Sequence, residues 1–132
     1  MVKENKVIVV DVDGTLTLRK EEGTSYSSVA VCEAMKARIT ALKAEGYWII
    51  LFTSRNMRTH SGNLGAIMKH TAPILIDWLA EHEIPYDEIH FGKPWCGHDG
   101  FYIDDRAVRP REFIENSLDQ LHELLERDRL LT

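Results

Sequence analysis

The chain has 132 residues, 44% of them hydrophobic, and a formal net charge of -5 at pH 7. That length suits one compact domain with a real core and hardly two, so we predict a single domain over residues 1–132. The balance of 21 acidic against 16 basic residues argues against nucleic acid or an anionic membrane as the main partner. No stretch approaches the roughly 20 apolar residues of a membrane span, and the first residues lead into a strand-like run, so the expected location is cytoplasmic.

The first part of the chain predicts a β-α-β unit. Residues 7–10 form a continuous β-branched run, which is typical of a central parallel strand buried on both faces. Apolar residues at helical spacing over 31–42 predict a helix, for which Ser27 or Ser28 is the natural N-cap. The apolar run 47–52 predicts a second buried strand.

The alternation continues in the second part. Residues 57–70 have the least regular pattern and are expected to form a loop with one short helical turn. A helix is predicted from near Pro73 to a point before Ile84. Short strands are predicted at 88–91 and 101–103.

A final helix is predicted after Ser117, which can form a capping box with Gln120. Strands that alternate with helices imply a parallel sheet with right-handed crossovers. The expected fold class is therefore α/β, a three-layer α/β/α sandwich around a Rossmann-like central parallel sheet, with no sizeable cap domain.

All four predicted strands end in residues that can take part in phosphate chemistry. The carboxyl edge of an open α/β sheet is where ligands bind, so we expect one site there. Its candidate residues are Asp11 and Asp13, Thr53 and Ser54, Lys93, and Asp104 with Asp105.

The carboxylates of this set indicate a metal ion. Asp11 and Asp104 would lie on strands that can be adjacent, about 4.8 Å apart, and like charges that close need a cation. Oxygen ligands and a phosphate substrate favour Mg²⁺. Gly14 permits a sharp turn after Asp11-x-Asp13, so that Asp11 can be a metal-bound nucleophile and Asp13 a general acid and base.

Further residues at these strand ends offer phosphate contacts. Thr53 can donate hydrogen bonds to a phosphoryl oxygen, and Lys93 can neutralise charge on the transferring group. Arg55 can bind a second anionic or hydroxyl-rich group, or can be an ordinary exposed loop residue, and the sequence leaves both interpretations open. The substrate-binding candidates are thus Gly14, Thr53, Ser54, Arg55, Asn56 and Lys93.

These motifs, in this order, resemble the haloacid-dehalogenase-like superfamily of phosphotransferases. The resemblance spans residues 6–105 and is found in Asp11-Val12-Asp13-Gly14-Thr15-Leu16-Thr17, the hydrophobic run into Thr53, Lys93, and Asp104-Asp105. It implies that Asp11 is the nucleophile, and that Asp13 is the general acid and base and lends its backbone carbonyl to Mg²⁺. It also implies that Thr53 and Lys93 bind the phosphate. In the same way, it implies that Asp104 is a metal ligand and that Asp105 lies beside the metal in its second coordination shell. The acid at Asp13 separates such phosphatases from dehalogenases.

A narrower resemblance is to short phosphatases linked to capsular polysaccharide biosynthesis. It is found in Gly62-Asn63-Leu64-Gly65, in Lys69-His70-Thr71 and over 92–106. It implies a small phosphate ester as substrate, a phosphorylated sugar or sugar-linked precursor. Many relatives carry a cap domain for which this chain has no room. The site is then covered by a large substrate, by another subunit of a homo-oligomer, or by the 57–70 segment.

The predicted function is a Mg²⁺-dependent phosphomonoester hydrolase. One alternative is a receiver-like switch that keeps its phosphate, and another is a phosphatase of nucleic-acid ends, which the acidic balance disfavours. Cys96 and His98 have a spacing compatible with zinc, but two ligands make a poor site. Trp95 is expected to pack rather than to stack on a sugar ring.

Overall fold

A parallel sheet of three strands organises the first part of the protein. The computed structural model describes residues 2–130. The strands are β1 (Val7–Asp11), β2 (Trp48–Thr53) and β3 (Glu88–Phe91), in the spatial order β1-β2-β3. The chain divides into two compact units, one up to Trp95 and one from Cys96 on, and all three strands belong to the first unit. The protein is therefore a small α/β protein with a parallel sheet, while the single domain stays a prediction.

β2 is the central strand because both of its edges are paired. In the register with β1, Asp11 lies opposite Phe52, and in the register with β3, Thr53 lies opposite Phe91. Alternate β2 side chains, including Ile49, are buried. The carboxyl ends of the three strands therefore lie at one edge of the sheet, where their side chains can meet.

Three helices and one 3-10 turn complete the described part of the first unit. They are α1 (Glu33–Ala44), α2 (Leu64–His70), α3 (Ala72–Glu81) and the turn Tyr26–Ser28. α3 buries Leu75, Trp78 and Leu79. Pro73 lies in its first turn, where a missing amide hydrogen costs nothing, which confirms the predicted start.

The second unit holds two helices within the described residues, α4 (Pro110–Glu115) and α5 (Leu118–Arg127). The Ser117 hydroxyl accepts the Gln120 amide at 3.2 Å, and the Gln120 side chain accepts the Ser117 amide at 2.8 Å. This reciprocal pair confirms the predicted capping box. Leu121 of α5 and Phe113 of α4 are buried.

The strand over residues 7–10 lies at an edge of the sheet, not at its centre. Among the described residues β1 pairs with β2 alone, and the side chain of Val9 is 59% exposed. A β-branched run indicates a strand, but its burial depends on the neighbours that cover it, which the run itself does not encode. The prediction of a central strand here is wrong.

The predicted strand at 101–103 does not form in this structure. Phe101, Tyr102 and Ile103 are exposed, and no strand includes them. A strand exists through hydrogen bonds to a neighbouring strand, and a run of three apolar residues supplies the composition without the partner.

The first helix also begins later than predicted. α1 starts at Glu33, while Ser27 and Ser28 belong to the 3-10 turn. Val31 forms an isolated antiparallel bridge with Thr17, so the chain is extended where the helix was expected to begin. The segment 57–70 contains α2, which is longer than the single short turn expected there.

Residues 2–130 contain no large cap, as expected. The segment between β1 and α1 contains a single short 3-10 turn. No helix in this range combines the length and the apolar character needed to cross a membrane.

A charged network fixes the entry to β3. Asp87, directly before β3, accepts hydrogen bonds from Lys43 Nζ at 2.5 Å and from the Ile49 amide at 2.8 Å. Desolvation raises the pKa of Asp87. The hydrogen bonds from Lys43 and Ile49, with the charges of Lys43 and Lys3, outweigh it and leave the pKa below its ordinary value of 3.8.

We expect Asp87→Asn to lower the free energy of unfolding by about 1–2 kcal/mol at pH 7, because it removes charge-assisted hydrogen bonds. Since the folded-state pKa of Asp87 is lowered, its stabilisation is present above 3.8 and is lost as the pH falls through the folded pKa. Urea unfolding at pH 7 and about pH 3 measures the difference from wild type, with exposed Asp77→Asn as control. A difference that is equal at both pH values contradicts this role.

Candidate active site

The chain after β1 makes a tight turn around one carbonyl group, that of Val12. It accepts the amides of Thr15, Leu16 and Thr17, at 3.2, 2.9 and 3.0 Å. Val12 and Leu16 are fully buried, so apolar side chains anchor this turn in the core. Gly14 has a φ of +80°, in the left-handed region that glycine tolerates best. The carboxylates of Asp11 and Asp13 remain about one third exposed, at 33% and 36%.

The carboxylate of Asp11 is oriented by two donors. Thr15 Oγ1 donates to Asp11 Oδ2 at 3.1 Å, and Lys93 Nζ donates to Asp11 Oδ1 at 3.3 Å. Lys93 is the more buried partner of this ion pair, with 18% of its side chain exposed. A carboxylate that is held on both oxygens and still reached by solvent is suited to attack a bound ligand.

Thr53 links the end of β2 to both neighbouring strand ends. Its carbonyl accepts the amide of Lys93 at 3.1 Å. Its buried hydroxyl accepts the amide of Arg55 at 3.0 Å and makes a long hydrogen bond, 3.5 Å, to Asp13 Oδ2. The structure thus brings together the four residues that the sequence assigns to catalysis, Asp11, Asp13, Thr53 and Lys93.

The main chain that leads into Lys93 is in close contact with α2. Gly92, directly before it, has a φ of +90°, and a Cβ atom there would lie 2.7 Å from Leu64 Cδ2. Glycine therefore permits Leu64 to lie against the main chain that leads into Lys93.

Arg55 forms a bidentate ion pair with Asp13. Arg55 Nη2 donates to Asp13 Oδ1 at 2.8 Å, and Arg55 Nε lies 3.2 Å from each carboxylate oxygen. The Arg55 side chain is 1% exposed. A guanidinium this deeply buried needs a paired carboxylate to offset its desolvation, and Asp13 provides it.

Tyr26, from the 3-10 turn, stacks on the same guanidinium. Its ring centroid lies 4.3 Å from Arg55 Cζ, within the range of a cation-π interaction. Burial raises the pKa of the Tyr26 hydroxyl above 10.0, the nearby charge of Asp13 raises it further, and Arg55 opposes both.

The charges of this cluster cancel. Asp11 pairs with Lys93, and Asp13 pairs with Arg55. A phosphate dianion that approaches two such pairs meets no net positive charge, so a divalent cation bound beside Asp11 would supply the missing attraction.

Ser54 and Asn56 hold the loop that follows β2. Asn56 Oδ1 accepts the Thr71 hydroxyl at 2.8 Å, and Asn56 Nδ2 donates to Thr59 Oγ1 at 3.2 Å. The Ser54 carbonyl accepts the Met57 amide at 3.0 Å. Both ends of the Asn56 amide are therefore engaged within the protein, although the sequence assigned it to the substrate.

Asp104 and Asp105 belong to the second unit, where both are exposed. Asp104 Oδ1 accepts the amide of Arg106 at 2.8 Å. Over residues 2–130 no group of three or more His, Cys, Asp or Glu side chains is placed to hold a metal ion. In the first unit, Asp11 offers the hard oxygen donors that suit Mg²⁺, while the Asp13 carboxylate is engaged by Arg55. That donor chemistry fits a Mg²⁺ ion held by the Asp11 carboxylate and the Asp13 main-chain carbonyl.

Trp95, which follows shortly after Lys93, is partly exposed and partly packed. Its side chain is 40% exposed, and Arg58 Cζ lies 5.9 Å from its ring centroid. An aromatic ring and a guanidinium thus lie close in sequence to two of the candidate residues.

Neither a role for Tyr26 nor a partner for Arg55 could be assigned from the sequence alone. Tyr26 is an isolated aromatic residue in a polar stretch, which carries no spacing signal. The Thr53-x-Arg55 spacing contains a signal, because residues two apart in an extended chain point to the same side. Arg55 could have been placed beside Thr53 on that basis.

No protein-family model matches this chain, and no curated protein matches it. A crystal structure of a protein from Vibrio cholerae matches with a TM-score of 0.89 and 48% sequence identity. The match covers 94% of this chain and 99% of that chain. Identity at this level over nearly the full length of both proteins indicates common ancestry as well as a common fold. The chain therefore belongs to the same family as this Vibrio cholerae protein.

Proposed function

We propose that this protein is a Mg²⁺-dependent phosphomonoester hydrolase that works through a phosphorylated Asp11. The observation that carries the proposal is the meeting of Asp11, Asp13, Thr53 and Lys93 at one edge of the sheet. These residues supply a nucleophile, an acid, a hydroxyl and an ammonium group, which are the parts that phosphoryl transfer needs. Membership of the haloacid-dehalogenase-like superfamily and its three-layer α/β/α arrangement belong to the same proposal.

In the first half-reaction, Asp11 attacks the phosphorus atom and the bond from phosphorus to the ester oxygen breaks. Lys93, whose ammonium contacts the nucleophile, neutralises charge on the transferring phosphoryl group. Asp13, a carboxylate paired with Arg55 in the structure, must first take up a proton, which it then gives to the departing alkoxide so that a neutral alcohol leaves. The product is an acyl phosphate on Asp11.

In the second half-reaction, a water molecule attacks the same phosphorus atom. Asp13, now ionised, takes the proton of that water. The bond from phosphorus to Asp11 breaks, which returns the Asp11 carboxylate and releases inorganic phosphate. Both protons are thereby accounted for, and Asp13 is ready for another cycle.

The metal would be held by the Asp11 carboxylate and the Asp13 main-chain carbonyl, while the part of Asp104 as a further ligand stays a prediction from the sequence. When bound, Mg²⁺ reduces the repulsion between a carboxylate and a phosphate dianion. The cancelled charges of the two ion pairs support this requirement, because the side chains alone provide no net attraction for an anion.

The proposed substrate is a small phosphorylated sugar or sugar-linked precursor of capsular polysaccharide, met in the cytoplasm. Trp95 and Arg58 support this class, because aromatic rings pack on sugar faces and guanidinium groups donate to hydroxyl oxygens. The net charge of -5 agrees with a small ligand better than with nucleic acid.

We expect Asp11→Asn to lower Mg²⁺-dependent phosphate release from 4-nitrophenyl phosphate by at least about 10³-fold, because an amide is a poor nucleophile. Colorimetric assay of the released nitrophenolate measures the loss. The control is Asp77→Asn, which removes an exposed carboxylate on α3 and should retain full activity. Equal rates for Asp11→Asn and wild type refute the nucleophile.

We expect Asp13→Asn to keep its Mg²⁺ affinity while turnover of an alkyl phosphate falls by about 10²–10⁴-fold, the usual contribution of general acid-base catalysis. Calorimetric titration with Mg²⁺ and a phosphate-release assay give the two measurements. Turnover like that of the wild type refutes the acid-base role of Asp13.

The lifetime of the acyl phosphate separates an enzyme from a phosphorylated switch. Quenching of wild type during turnover should trap a phosphoprotein that decays as fast as the enzyme turns over. A phosphoprotein that persists for hours after removal of substrate supports the switch instead.

A further inference from the structure

The guanidinium of Arg55 is buried in the protein and not exposed to solvent. Its side chain is 1% exposed, and two of its three guanidinium nitrogens donate to Asp13. Nη1, the third nitrogen, is buried and has no hydrogen-bond partner in the described part of the chain. An arginine that binds substrate directly would present donors to solvent in the free protein.

The ion pair between Arg55 and Asp13 fixes the direction of the Asp13 carboxylate. Two parallel N–H groups meet both carboxylate oxygens, which sets the plane of the carboxylate as well as its distance. Arg55 is itself fixed at the end of β2, because its amide donates to the buried hydroxyl of Thr53. The orientation of Asp13 on one strand end is therefore set by the neighbouring strand.

Tyr26 holds the guanidinium against Asp13. Its ring centroid lies 4.3 Å from Arg55 Cζ, so the ring offers the buried guanidinium an electrostatic contact in addition to the hydrogen bonds with Asp13. This contact adds to the ion pair with Asp13 in offsetting the desolvation of the guanidinium.

The segment that carries Tyr26 is anchored at both ends. We call residues 18–30 the strap. The Leu18 amide donates to the Ala30 carbonyl at 2.8 Å, which closes its base. The buried Val29 accepts a hydrogen bond from Trp78 Nε1 of α3 at 2.9 Å. Tyr26 is thus held in place from the core of the first unit.

We propose that Arg55 is a positioning residue that aims Asp13 at the leaving group, and that Tyr26 keeps Arg55 in that position. This inference rests on the proposed phosphatase function. Arg55 then acts on the orientation of Asp13 and does not bind the substrate. The strap contributes to the chemical step because it carries Tyr26.

The reactivity of the leaving group distinguishes positioning from substrate binding. An alkyl phosphate needs a proton on its departing oxygen, whereas 4-nitrophenolate leaves without one. Misplacement of Asp13 should therefore slow the alkyl ester selectively, while loss of a phosphate-binding group slows both esters alike. The value of kcat/KM reports the steps up to departure of the alcohol, so its ratio between the two esters is the readout.

We expect Arg55→Gln to lower kcat/KM for glucose 6-phosphate at least about tenfold more than for 4-nitrophenyl phosphate. Arg55→Lys should not restore the ratio, since an ammonium cannot form the two parallel hydrogen bonds. Tyr26→Phe keeps the ring face and should keep the wild-type ratio, whereas Tyr26→Leu should shift it toward that of Arg55→Gln. Arg111→Gln, at an exposed arginine of α4, is the control.

Each ratio is measured on a single protein sample, so a partly unfolded variant lowers both rates equally and leaves the ratio unchanged. An active wild type with an unaltered ratio in Arg55→Gln overturns the positioning role and leaves the phosphatase proposal standing. Restoration by Arg55→Lys also overturns it, because charge alone would then suffice. A wild type that hydrolyses neither ester with Mg²⁺ refutes the phosphatase proposal and this inference with it.

Discussion

The in-register parallel pairing of β1, β2 and β3 is the constraint on which the candidate site depends. It places Asp11 opposite Phe52 and Thr53 opposite Phe91, so three strands stop at the same level. A shift by one residue would turn every side chain to the opposite face of the sheet. Thr53 would then no longer reach both Lys93 and Asp13. Burial of alternate β2 side chains, with Ile49 and Leu51 fully enclosed, is what resists such a shift.

Charge pairing is the second feature that orders this edge. Each carboxylate has its own cation, and the two pairs differ in depth. In the pair of Lys93 with Asp11 both side chains are partly exposed, at 18% and 33%, whereas in the pair of Arg55 with Asp13 the guanidinium is 1% exposed. Two chemically identical side chains therefore have different surroundings. The proposed mechanism uses this difference, since it gives the two acids different tasks.

The residues at which β1 and β2 end were predicted more accurately from the sequence than the number and order of the strands. Asp11 and Thr53 were placed correctly because an apolar run that stops at a polar residue marks the end of a strand, whether or not the run is buried. The same reasoning failed for 101–103, since composition cannot show whether a neighbouring strand is present. The stacking of Tyr26 on Arg55 could not be predicted from the sequence, because only tertiary packing brings the polar loop that contains Tyr26 next to the end of β2.

The contact between Leu64 and Gly92 connects the least readable segment of the sequence to the candidate nucleophile. Leu64 opens α2, and its Cδ2 atom lies 2.7 Å from the position that a Cβ atom on Gly92 would have. Lys93 continues directly from that glycine and reaches Asp11. The first residue of α2 therefore supports the main chain that carries the Lys93 ammonium group. A substitution at Leu64 that changes the size of this side chain would therefore shift the main chain at Gly92 and the position of the Lys93 ammonium beside Asp11, while the site residues stay the same.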